Sequence, residues 1–137
     1  MITQSWAAQL PSAVPLGELL AAAEQSGDDA ALCVFSPADS VDPADRRGYA
    51  ALVIAYTRFE EPVAILEDGS CVLLVREGGT SSATACARRI LGQAARMGLA
   101  SRLRVGVAAI LDGAGQALQA ARAQAASGEP GEVAGAA

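Results

Sequence analysis

Two short apolar runs, Val63–Leu66 and Cys71–Val75, flank the polar stretch Glu67-Asp68-Gly69-Ser70. Runs of β-branched and aliphatic residues around an Asp-Gly pair predict a β-hairpin. Ala30–Phe35, "AALCVF", reads as a buried strand ended by Ser36-Pro37. "RLRVGVAAIL", from Arg102, reads as another, with Arg104 and Gly106 alternating with Leu103, Val105 and Val107. Elsewhere the period is helical. Pro15 opens a helix with Leu16, Leu19, Leu20 and Ala23 on one face, stopped by Gly27. From Asp45 a second helix sets Tyr49, Leu52, Val53 and Tyr56 on one stripe and must end before Pro62. A long Ala-rich helix follows, with Thr80, Ser81 or Ser82 as candidate N-caps, Gly92 as a weak point and Gly98 past its end. The last helix, roughly Ala114 to Ala126, turns Leu118, Ala121 and Ala125 inward. Residues 1–13 read as a weakly patterned lead-in and 128–137 as a disordered tail too poor in large apolar side chains to pack. One domain, 14–127, lies between them.

Without the first and last helices the order is strand, helix, strand, strand, helix, strand. This is the α/β (α+β) split βαβ plan, ferredoxin-like or palm-type: an antiparallel sheet with helices on one face, its hand fixed by right-handed crossovers.

Composition supports one self-sufficient core, since 52% of the 137 residues are hydrophobic and 18% charged. It also removes chemistry. All ten positive charges are arginine, and the chain has no Lys, His or Asn. No Schiff-base or P-loop lysine and no imidazole base is available, which excludes most hydrolase mechanisms. A net charge of −5 argues against nucleic acid as a partner, while a small anion held by a few arginines stays open. Cys33, Cys71 and Cys86 match no zinc spacing and read as buried hydrophobes in a reducing compartment. No apolar stretch approaches the ~20 residues of a membrane helix, so no membrane insertion and a cytoplasmic location are expected.

The hairpin carries a resemblance. "VAILEDGSCVLLV" resembles in register the "vaRlGGDEFvvll" segment of diguanylate cyclase (GGDEF) domains. "SSATACARRIL" resembles the helix after that signature, "LRVGVAAI" the "vTvSiGvA" strand, and "ALQAAR" the closing "ALYrAK". In active members, the resemblance implies, a first-strand aspartate and a hairpin acid hold two magnesium ions that polarise GTP phosphates. Here the signature positions are Glu67, Asp68, Gly69, Ser70 and Cys71, so the glycines have become acids and the acids Gly69 and Ser70. Phe35, Ser36 and Pro37 occupy the region of the first-strand aspartate, a shorter "DSVDPAD" replaces the base-holding segment, and Arg122 replaces the closing lysine. The expectation is a degenerate member with no catalytic residues, no metal and no cofactor. Asp68-Gly69 is left with a structural role, setting the turn.

Many cyclases also carry an inhibitory site for cyclic di-GMP, marked by "RxxD" shortly before the signature. Its register falls on Arg58-Phe59-Glu60-Glu61, with Glu61 in place of the aspartate. Arg88 or Arg89, on the helix after the hairpin, stands where a further arginine assists. Guanidinium pairs with phosphate and stacks on purine, and a carboxylate accepts from guanine N1 and N2. The same residues also fit a plainer reading, an arginine at a helix C-terminus with solvated neighbours. The functional expectation is therefore an inactive GGDEF-like signalling domain of bacteria, a cyclic di-GMP sensor through this remnant. The alternatives are a protein-interaction or homodimerisation module with no nucleotide ligand, and more distantly a roadblock-type regulatory fold.

Overall fold

The computed structural model describes residues 13–27, 29–58 and 61–134. Along the chain run α1 (Leu16–Glu24), β1 (Ala31–Pro37), α2 (Pro43–Ala55), β2 (Val63–Ile65), β3 (Cys71–Val75), α3 (Gly79–Arg96), β4 (Leu103–Ala109), α4 (Ala114–Ser127) and β5 (Val133–Ala134). They form one mixed sheet in the order β2-β3-β1-β4-β5. Its first four strands are antiparallel and carry the expected ferredoxin-like order. β5 joins parallel to β4.

Helices cover both faces of this sheet, in contrast to the single covered face that element order predicts. On β1, Cys33 and Phe35 point into a core shared with Tyr49 and Val53 of α2 and Ala87 and Ile90 of α3. Leu32 and Val34 point the other way, onto Leu19 of α1 and Leu118 and Ala121 of α4. The outermost helices complete the second layer, which is why β1 and β3 read as continuous apolar runs instead of alternating ones. Gly106 lets α4 lie close on β4: a Cβ there would stand 2.1 Å from the Ala121 carbonyl oxygen.

Two local expectations are corrected. The N-cap of α3 is Gly78 in the left-handed region (φ 91°), without a side-chain cap from Thr80, Ser81 or Ser82. Asp29, ahead of β1, supplies the acceptors: its Oδ2 accepts from Gly78 N at 2.8 Å and its carbonyl from Gly79 N at 2.8 Å. The expected disorder after residue 127 does not hold up to residue 134. Gly131 N donates to Leu103 O at 2.7 Å, and Val133 and Ala134 pair with Val105 and Gly106. Backbone hydrogen bonds hold this segment, so its lack of large side chains gives no warning. The lead-in lies outside the described residues up to position 12; Val14 N then donates to Val63 O at 2.8 Å on the β2 edge.

Candidate functional site

The hairpin turn is built by Asp68 and Gly69. Leu66 N donates to Ser70 O at 2.7 Å, Ser70 N to Asp68 Oδ1 at 2.9 Å, and Gly69 takes φ +88°. Around the tip, contacts come from arginines. Arg122 of α4 lies 3.5 Å from Asp68 Oδ2 and 3.8 Å from Glu67 Oε1. Arg46 of α2 donates to the Asp68 and Ala38 carbonyls, each at 3.3 Å. At the end of β1, Ser70 Oγ donates to Ser36 Oγ at 3.1 Å. Grooves of about 480 and 280 Å³ flank the tip, both lined by Ser36, Asp39 and Asp68.

These residues do not fit a two-magnesium site. Hard divalent cations want several carboxylate oxygens, and here two hydroxyls bind each other while Glu67 and Asp68 face the Arg122 guanidinium. Among the described residues no cluster of three His, Cys, Asp or Glu is placed to hold a metal. Cys71, at the last signature position, is buried in β3; burial, then the Asp68 charge, pushes its thiol up to about 12.

The second location is a cleft of about 520 Å³ between the α2–β2 connection, the end of β3 and α3. Arg58, Glu61 and Arg89 all line it. Glu61 Oε1 accepts from Arg58 N at 2.8 Å and from Arg89 Nη2 at 3.1 Å, and Cys86 Sγ donates to Glu61 Oε2 at 3.5 Å. Arg89 Nη2 also reaches the Tyr56 carbonyl at 3.1 Å. The Cys86 thiol is pushed up to about 11 by burial and by Glu61, against the lowering effect of Arg89.

Arg88 does not join them. One residue along a helix is a rotation of about 100°, and Arg88 lines two other grooves, one beside Thr80, Ser81 and Thr84 and one facing β5. The structure adds lining residues that the sequence pattern does not assign to this site: Arg76, Glu77, Ser82 and Cys86. Ser82, Cys86 and Arg89 stand at i, i+4 and i+7 on α3, a signal legible once Arg89 is chosen. Arg76 and Glu77 follow β3 and reach the cleft only through the tertiary fold.

No family model matches the chain, and no curated protein matches it by sequence. Solved structures do match. The GGDEF domain of PA1120 (YfiN or TpbB) from Pseudomonas aeruginosa superposes with a TM-score of 0.67 at 14% identity, covering 90% of this chain and 96% of that one. The chain has a GGDEF-like fold. The FimX GGDEF domain of Pseudomonas aeruginosa gives 0.63 at 16% identity, covering 85% and 88% of the two chains. A microbial GGDEF domain described in a novel interaction mode with cyclic di-GMP gives 0.61 at 16%, covering 85% of each. In this GGDEF-like fold the hairpin tip carries Glu67 and Asp68, which Arg122 meets, and the second cleft combines three arginines with Glu61 and Glu77.

Proposed function

We propose that this GGDEF-like domain makes no cyclic di-GMP and instead binds it, as a signalling domain of the bacterial cytoplasm. The observation that carries the proposal is the meeting of Arg58, Glu61 and Arg89 on one cleft, from two elements and across 28 residues between Glu61 and Arg89. The cleft volume, about 520 Å³, lies in the range of small-molecule sites. Planar guanidinium groups pair bidentately with phosphate oxygens and stack on purine faces, which suits a cyclic dinucleotide. The likeness to a GGDEF domain described with cyclic di-GMP adds support from the fold alone.

At the hairpin tip the residues point away from catalysis. Phosphoryl transfer relies on positioning and metal-borne charge, and where the resemblance implies carboxylates this chain has Ser70 in the hairpin and Phe35, Ser36 and Pro37 at the end of β1. Isothermal calorimetry is the test. Cyclic di-GMP should give heat of binding, GTP with magnesium none, and Arg58→Ala should weaken the dinucleotide roughly 10- to 150-fold, as loss of a charge-assisted hydrogen bond implies. Absence of heat at high cyclic di-GMP concentration overturns the proposal.

A further inference from the structure

Glu61 is already in use. Its Oε1 takes hydrogen bonds from Arg58 N and Arg89 Nη2, its Oε2 takes the Cys86 thiol, and its side chain is only 12% exposed. Meanwhile no side-chain hydrogen bond or ion pair ties Arg58 or Arg76 among the described residues, and both line the same cleft. Three guanidinium groups therefore border one cavity, and the sole carboxylate paired to any of them among the described residues is Glu61.

We infer that Glu61 is the resident anion of an arginine cradle formed by Arg58, Arg76 and Arg89, and that a phosphate-bearing ligand binds by displacing it from Arg89. This rests on the proposed ligand site but gives Glu61 the opposite role, in which it competes with the ligand's phosphate instead of gripping its base. Both hydrogens of Arg89 Nη2 are already taken, by Glu61 Oε1 and the Tyr56 carbonyl, so a phosphate oxygen reaches this nitrogen only where Glu61 releases it. With Glu61 in place, the charged side chains lining the cleft are three arginines and two glutamates; with Glu61 neutral, the excess of positive charge doubles from one to two. Arg76 becomes a binding residue, and the ligand class is a phosphate ester or pyrophosphate taken without a metal ion.

The test compares wild type with Glu61→Gln, which keeps the shape and an acceptor for Arg58 N while removing the charge. Two probes are titrated calorimetrically in buffer free of divalent cations: inorganic pyrophosphate, which has no base, and cyclic di-GMP. Expected is a roughly 5- to 30-fold gain in pyrophosphate affinity for Glu61→Gln, the effect of about one or two kcal/mol of released competition. Arg76→Ala and Arg89→Ala should each lose about 10-fold or more. A base-gripping Glu61 predicts the reverse for cyclic di-GMP, weaker binding in Glu61→Gln, with pyrophosphate unmoved. Unchanged or weaker pyrophosphate binding in Glu61→Gln, or no pyrophosphate heat in either protein, overturns the inference whatever cyclic di-GMP does. Tighter pyrophosphate binding with no cyclic di-GMP heat upholds it and removes the proposed function. Should Glu61→Gln fail to fold, Glu61→Asp retracts the carboxylate by one methylene and must shift pyrophosphate affinity in the same direction.

Discussion

Ser70 and Ser36 are joined by a hydroxyl–hydroxyl hydrogen bond of 3.1 Å that ties the hairpin tip to the end of β1. In the GGDEF resemblance these are the two regions that supply metal-binding carboxylates. A serine pair is neutral, so it offers a divalent cation no carboxylate charge. Glu67 and Asp68 lie one step away, where Arg122 meets both.

Incubation with GTP and magnesium is accordingly expected to yield no cyclic di-GMP. Chromatography of the reaction on homogeneous protein checks this. Product that disappears on combining Glu67→Ala with Asp68→Ala would establish a shifted metal site instead.

The turn itself has a mechanical requirement. Gly69 has φ +88°, and a Cβ there would stand 3.0 Å from Arg46 Cβ. Gly69→Ala should lower the unfolding free energy by on the order of 1 kcal/mol or more, through left-handed strain and crowding of Arg46. Urea unfolding measures it; a midpoint equal to wild type would mean that the turn tolerates a side chain.

The hairpin is legible in the sequence because its determinants are local: a turn pair, two apolar runs and one glycine. The order of the first four strands follows from element order and crossover rules, and the grouping of Arg58 and Glu61 with one of the two α3 arginines from register with a known pattern. What escapes depends on distant parts of the chain. Asp29 caps α3 from 49 residues away, so Thr80, Ser81 and Ser82 give a false local signal. β5 is held by main-chain bonds that side-chain hydropathy does not record. Arg88 and Arg89 are equivalent in sequence, and only the rotation of α3 against the sheet separates them.

Two glycines should respond oppositely to alanine. At Gly106 the added Cβ would meet Ala121 O at 2.1 Å and Ala125 N at 2.6 Å, both backbone atoms of α4, so the helix must move off β4. Gly106→Ala should cost roughly 1–3 kcal/mol or more, as overpacking does. Gly92, inside α3, has no foreign atom within 4 Å of its added Cβ, and Gly92→Ala should stabilise by about 0.5–1 kcal/mol. Thermal melts of both variants decide. Equal shifts of the same sign would contradict the packing of α4 on β4.

The buried thiols predict how stability depends on alkali. Burial raises all three: Cys71 to about 12, Cys86 to about 11 with help from Glu61, and Cys33 in the same direction. Unfolded thiols titrate near about 8.5, so above that pH the unfolded chain releases protons that the folded chain keeps. The unfolded state then binds fewer protons, and stability falls as pH rises. This contribution is fully present below about 8.5. For Cys86 it is lost progressively up to about 11, and for Cys71 up to about 12. The limiting slope is about 1.4 kcal/mol per pH unit for each thiol. Urea unfolding at pH 8, 9 and 10 should show the decline, and Cys86→Ala, which removes one thiol, should flatten it by about one such increment. A slope unchanged in Cys86→Ala would place that thiol in solvent, contrary to its position behind Glu61 and Arg89.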